Sequence, residues 1–142
     1  MRVPPFAPCA LVAAAALGVA GCTSTNGSSA GDFTGAEKEV ATTIDHLQSD
    51  IRAGDADKVC SRDLSKRLVD TITRKASKSC ASALDKPLKD VSDANLDVGK
   101  GAIAINGNRA TARVISGSGS DKRRDTLTFV REGGGWKLDG LG

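Results

Sequence analysis

The sequence predicts an α+β domain, with N-terminal helices packed on a curved antiparallel β-sheet. Two observations carry that expectation. The first is a change of apolar period along the chain. Val40, Ile44, Leu47 and Ile51 recur at steps of four, three and four, which makes one stripe on a 3.6-residue helix. Beyond Pro87 the period shortens to two, in Leu96/Val98, Ile103/Ile105 and Ala110/Ala112/Val114. The second is turn chemistry at the joints: Gly54 after the first stripe, Asn106-Gly107 between two alternating runs, and Gly133-Gly134-Gly135 before the last one. Helices first and a meander second pack as two layers around one core.

Each element has a local reason. The first helix spans 35–53, and Thr34-Gly35-Ala36-Glu37 has the capping-box pattern. Glu37 and Glu39 suit the positive end of the helix dipole. Asp55 caps a short second helix that runs through Asp57 and Cys60. A third helix covers Arg62 to about Thr73, with Leu64, Leu68 and Ile72 on one face and Val69 at its edge. A short helical segment from Ser79 to Leu84 carries Cys80, and Pro87 closes the helical half. Asn106-Gly107 reads as a type I′ hairpin turn. Gly117 to Ser120 is a loop, Thr126 to Val130 a strand, and Trp136 to Leu138 a last short strand. There is no internal repeat.

At 142 residues the chain is too short for two ordinary domains. It is 39% apolar but only 3% aromatic, so its core is built from Ala, Val, Leu and Ile. A net charge of +3, from 20 basic and 17 acidic residues, is a mixed surface, and no aromatic platform accompanies the cations. Both points argue against a nucleic-acid binder.

The N-terminus reads as an export address. Arg2 is the only charge before Asp32, and Ala10 to Ala20 is an uninterrupted apolar run. A membrane span needs about 20 such residues, whereas a secretory h-region needs about 7–15. Val19-Ala20-Gly21-Cys22 then resembles the lipobox of a bacterial lipoprotein. That resemblance implies that residues 1–21 are a signal peptide and that Cys22 is the first mature residue, carrying diacylglycerol on its sulfur. The protein would then be exported and anchored to the outer face of the cell membrane. Residues 22–34 are Gly/Ser-rich and read as a tether, and 35–142 as the single domain. With Cys9 and Cys22 so used, Cys60 and Cys80 remain, and in an oxidising compartment they pair. A zinc site lacks ligands, since His46 is the only histidine and there is no CxxC.

Three stretches resemble small NTF2-like (cystatin-like α+β) domains, as found in actinobacterial-type lipoproteins. They are Ala53-Gly54-Asp55 ahead of a Cys-bearing short helix, the hairpin 106–112, and the ending Val130 to Leu138. The resemblance covers roughly residues 35 to 141 and implies a sheet that wraps the first helix and can leave a cavity. Some members are isomerases or dehydratases that use a pocket Asp or His; many others bind small molecules or partners, and the fold alone does not choose.

The residues themselves supply little catalytic chemistry. His46 falls on the polar face of the first helix, with Glu39, Asp45 and Asp50 also off the stripe. Asp93-x-Asn95-x-Asp97 looks faintly like a calcium loop, but Val98 and Ala104 stand where Gly and Glu are needed, so it reads as the wet face of a strand. No catalytic residue, metal site or cofactor is assigned. Arg123 and Arg124 read as guards of a sheet edge, and Trp136 as packed under a helix end. Charge is more telling: residues 23–57 hold seven acidic and two basic side chains, and residues 58–89 hold nine basic and three acidic. Lys58, Arg62, Lys66, Arg67, Arg74, Lys75 and Lys78 form a candidate basic surface for an anionic envelope surface or a protein partner. The reading is therefore a lipid-anchored, non-enzymatic envelope domain that binds a small apolar ligand or a protein partner. The alternatives are an NTF2-like enzyme with acid-base chemistry, for which Asp97, Asp125 or His46 must lie in a pocket, and a purely structural module.

Overall fold

The computed structural model describes residues 29–91, 94–117 and 119–142. The expected signal peptide 1–21, Cys22, most of the expected tether and Asp93 lie outside the described residues. The described chain is already packed six residues ahead of position 35: a 3-10 turn over Ser29–Asp32 and the side chain of Phe33 lie against the domain.

Helix α1 (Gly35–Ala53) buries Val40, Ala41, Ile44 and Leu47, and with them Gln48 and Asp50. Its buried arc is wider than the predicted stripe, because the sheet covers one side and the following short helices another. Thr34 occupies the N-cap position, yet its side chain makes no capping bond. Gly35 has a φ of 57°, so the first turn lacks the regular geometry a capping box needs. Gly54 ends the helix in the left-handed region, at φ 66°. Asp55 then caps α2 (Ala56–Lys58), its side chain accepting from the Lys58 backbone N–H at 3.0 Å.

The third helix departs from expectation. Arg62 and Asp63 lie in a wide π turn over Val59–Asp63, and Leu64 is extended, at φ −92° and ψ 147°. Helix α3 runs from Lys66 to Ala76, with Ser65 as its N-cap. The cause is competition with the sheet: Leu64 bridges Leu138, and the Ser65 N–H donates to the Leu138 carbonyl at 2.8 Å. Two residues committed to a strand edge cannot also be helical. Helix α4 (Cys80–Lys89) is longer than predicted and contains Pro87 rather than ending before it. So near the C-terminus the missing proline N–H removes one helical bond, and buried Leu88 holds the final turn against the core.

The sheet is antiparallel, curved and partly open. Strand β3 (Arg109–Ser116) pairs with β4 (Arg123–Glu132) on one side; on the other it pairs with β1 (Leu96–Asp97) at one end and β2 (Ile103–Asn106) at the other. β5 (Gly135–Leu141) follows β4, and Leu64–Ser65 cover its outer edge. The helices lie N-terminal to the strands and pack against them, so the α+β class holds. β4 and β5 are both longer than predicted. Arg123 and Arg124 lie in β4, opposite Ser116 and Ile115 of β3, at the end of the strand that β5 does not pair, so on that side they stand at an open margin of the sheet. The β2–β3 turn is Gly107-Asn108, with positive φ at Gly107 alone, which fits type II′ rather than I′. At the β4–β5 turn Gly133 and Gly134 both have positive φ, as type I′ requires.

Between α1 and the sheet, Val40, Ala41, Ile44 and Ala112 are 0% exposed, and Val114 and Phe129 are 1% exposed. No water-sized space touches the first four, so the centre of this layer is close-packed. The Cys60–Cys80 disulfide is formed, with Cα atoms 6.1 Å apart, and ties the π turn to the start of α4. It closes a loop that contains all of α3.

Reduction, or Cys60→Ser with Cys80→Ser, will lower stability by roughly 3 kcal/mol on the loop-entropy account. Urea denaturation with and without reductant measures the loss. A double variant with an unchanged midpoint would show that the bond does not constrain the fold.

Candidate functional site

The first cluster lies where α1 meets the π turn. Asp50 and Asp63 are buried, at 5% and 1% exposure, and Arg62 joins them. Its Nη2 donates to Asp50 Oδ2 at 2.5 Å and its Nε to Asp63 Oδ1 at 3.3 Å. Asp63 Oδ2 is buried with no hydrogen-bond partner. Burial, and then Asp50 beside it, push the Asp63 carboxyl from 3.8 up to about 7. Once protonated, Asp63 becomes a donor to Asp50, which answers the buried oxygen. The pair is buried, at the foot of the half-exposed Arg62 side chain.

A second cluster ties α3 to the sheet. Asp139 is the extra residue of a β-bulge, since Leu138 pairs with Phe129 while Gly140 pairs with Thr128. The bulge re-aims the Asp139 carboxylate at the N-terminus of α3. Ser65 Oγ donates to it at 2.6 Å and Arg67 Nε at 2.9 Å, while Ser65 Oγ also accepts from the Leu68 N–H. The Arg67 guanidinium, then Ser65, hold Asp139 below the ordinary carboxylate range. Ser65 is 0% exposed, so its hydroxyl is a structural joint and not a nucleophile open to substrate.

The residues that would have signalled an enzyme do not converge. His46 is exposed and lines a groove of about 450 Å³ with Glu39, Thr43 and Trp136. Trp136 is itself buried under α1: its Nε1 donates to Glu39 Oε2 at 3.1 Å, and Arg131 stacks 4.9 Å from its ring centroid. Asp97 and Asp125 line a different groove, of about 410 Å³, at the β1 end of the sheet. Asp97 is exposed there, and Asp125 accepts from Ser116 Oγ. Asp45 lies half-buried and accepts from the N–H groups of Ser29 and Ala30. Among the described residues no group of three or more His, Cys, Asp or Glu is placed to hold a metal ion.

The basic segment divides in two. Lys58 pairs with Asp55, Arg62 with Asp50 and Asp63, and Arg67 with Asp139. These three serve the fold. Lys66, Arg74, Lys75 and Lys78 are exposed and project from α3 and its C-terminal end. None of the residues of α3 is buried. Its apolar residues Leu68, Val69 and Ile72 rest against the core only in part, which leaves a half-open apolar strip flanked by cations.

Two features escaped the sequence. Asp50 sits at the margin of the α1 stripe, three residues after Leu47, and a wider apolar window would have included it. Asp139 is buried by a bulge that alternation does not register.

Asp63 gives stability an inverted pH dependence. Its folded value lies above the unfolded one, so its contribution is full below about pH 4 and fades as pH rises through 7. Asp139 acts in the opposite direction, and only as pH falls below about 4. Asp63→Asn keeps a donor toward Asp50. It will flatten the profile between pH 4 and 7 and raise stability at pH 8 by on the order of 2–4 kcal/mol. Urea midpoints across that range test this; parallel wild-type and variant profiles would contradict it. Ser65→Ala, which loses both a helix cap and the Asp139 bond, will cost about 1–3 kcal/mol in the same assay.

No protein-family model matches this chain, and no curated protein sequence matches it significantly.

Proposed function

We propose that this chain is an exported, lipid-anchored module of the cell envelope, held to the outer face of the cell membrane through Cys22. Its domain is of the NTF2-like kind, is not an enzyme, and docks an acidic protein partner. One observation carries the docking reading: α3 is an amphipathic helix with no buried residue. Leu68, Val69 and Ile72 are half-open, and Arg74, Lys75 and Lys78 stand beside them. An apolar strip rimmed by unpaired cations suits a partner with an apolar ridge and acidic flanks. Val19-Ala20-Gly21-Cys22 behind an apolar run supports the anchor, and the Cys60–Cys80 disulfide suits an oxidising compartment.

A protein partner is favoured over a small apolar ligand because the centre of the layer between α1 and the sheet is close-packed. The enzyme reading has no observation in its favour. Its best-perturbed acid, Asp63, is buried, and His46 and Asp97 line separate grooves.

Cell fractionation tests the anchor. The wild-type chain will be found in the membrane fraction with an acyl group on Cys22 by mass, and Cys22→Ala will lose the acyl group. A photo-cross-linking residue in place of Ile72 tests the docking face. It will give one discrete protein adduct, reduced roughly tenfold by Arg74→Glu, Lys75→Glu and Lys78→Glu together. An adduct equally strong in the charge-reversed chain, or none at all, would refute the docking face.

A further inference from the structure

We infer that the β1 end of the sheet, with Lys100, Arg113, Ile115 and Arg124, is the surface that rests on anionic lipid headgroups of the anchoring membrane. This inference rests on the lipid anchor proposed above and adds the orientation of the domain on it.

The length of chain before the fold is the first support. Ser29 is the first described residue, and six residues, 23–28, lie between it and Cys22 in the sequence. Fully extended, that stretch reaches roughly 25 Å. A domain of this size is about 30–35 Å across. The tether is shorter than the domain is wide, so the surface near Ser29 is the one brought to the lipid.

The position of Ser29 is the second support. Its N–H donates to Asp45 Oδ1 on α1, and its Oγ accepts from the Val98 N–H, just past β1. The neighbours of Val98, Asp97 and Gly99, line a groove with Arg113, Ile115 and Arg124. Register places Arg113 and Ile115 on the outward face of β3, with Arg124 opposite Ile115 on β4. Ile115 is 37% exposed, an apolar contact among cations. Arg113 reaches the Gly101 carbonyl, and Lys100 lies beside it in the same exposed turn.

Charge is the third. Lys100, Arg113, Lys122, Arg123 and Arg124 are exposed and in no ion pair among the described residues. Asp90, Asp97 and Asp121 are exposed acids of this end, and Asp125, which accepts from Ser116, lines the groove with Arg113 and Arg124. Around the groove itself Lys100, Arg113 and Arg124 outnumber Asp97 and Asp125 by one, and each cation near an anionic bilayer favours contact. Helix α3 packs at the opposite, β5 edge, so a domain seated on its β1 end turns α3 away from the membrane.

The test uses the full chain carrying Cys22→Ser, mixed with vesicles of phosphatidylcholine alone or with one-third phosphatidylglycerol. Its apolar N-terminal run binds both kinds, so the readout is the difference in partition between them. Phosphatidylglycerol will raise binding, and high salt will abolish the increment. Lys100→Gln, Arg113→Gln and Arg124→Gln will reduce it about fivefold each and about 100-fold together. Arg74→Gln, Lys75→Gln and Lys78→Gln together will leave it intact. Circular dichroism of each variant checks that the fold persists. No increment, or one lost with the α3 substitutions and kept with the sheet substitutions, overturns the orientation while an acylated Cys22 leaves the anchor standing. A wild-type chain without an acyl group on Cys22 overturns both.

Discussion

The attachment of Leu64–Ser65 to the outer edge of β5 is the constraint on which the rest of the molecule depends. An edge strand exposes unpaired N–H and C=O groups that invite another chain. Here two residues from the helical half cover that edge, through the Leu64–Leu138 bridge and the Ser65 N–H to the Leu138 carbonyl. Ser65 then turns at once into the N-cap of α3 and gives its hydroxyl to Asp139. One residue closes the sheet, begins a helix and satisfies a buried carboxylate. Its neighbours inherit the consequences. The chain must reach β5 from α2 within a few residues, and the wide turn Val59–Asp63 makes that span. α3 starts outside the sheet edge, so it lies on the flank of the core rather than in it.

The same attachment explains the acid pair. The wide turn that delivers Leu64 to β5 also presses Asp63 against Asp50 at the margin of α1. Burying two carboxyls together disfavours ionising both, and one guanidinium, that of Arg62, does not answer every oxygen. A proton held by Asp63 relieves the conflict. The pair is therefore best understood as strain left over from the route of the backbone. The bulge at Asp139 works on the other side of the joint and ends differently, because Arg67 and Ser65 both donate to that carboxylate. Two buried aspartates on either side of one attachment are thus driven in opposite directions by the donors each one meets.

What was legible in the sequence follows the same division. Local chemistry could be read directly: Gly54 as a helix stop, Asp55 as a cap, Cys60 with Cys80, and the alternation of Ala110, Ala112 and Val114. Periodicity also gave the order of layers. Contacts distant in sequence could not be read. Nothing near Leu64 announces that Leu138 will claim it, so periodicity starts the third helix at Arg62, four residues before Lys66. Asp50 was set on the polar side because a stripe of four apolar residues is narrower than the arc a helix buries when covered on two sides. Arg123 and Arg124 read as edge guards, and the register gives that reading its limits: β4 is an interior strand by order, but β5 pairs it only as far as Leu127, so its Arg123 end is open on one side. The basic surface is the instructive case among the candidate residues. Seven cations read alike in sequence, yet Lys58, Arg62 and Arg67 are occupied by acids of the fold, which leaves the α3 end as the part free to act.

The two proposals divide the molecule by the same geometry. Ser29, the first described residue, is held at the β1 side by Asp45 and Val98, and α3 is fastened at the β5 side by Asp139. A short tether on one edge and a half-open amphipathic helix on the other make an object with two ends. If cations at both ends had equal access to the bilayer, the domain would have no preferred pose and α3 would compete for lipid. The tether breaks that symmetry by reach alone, since roughly 25 Å of chain cannot carry the far edge of a wider domain to the surface. The disulfide contributes by closing the loop that contains α3, so that the helix keeps its place with little core burial of its own. On the proposed anchoring, sheet face and helix form one sequence of constraints, in which the position of Ser29 would decide which surface meets the membrane and which is left for a partner.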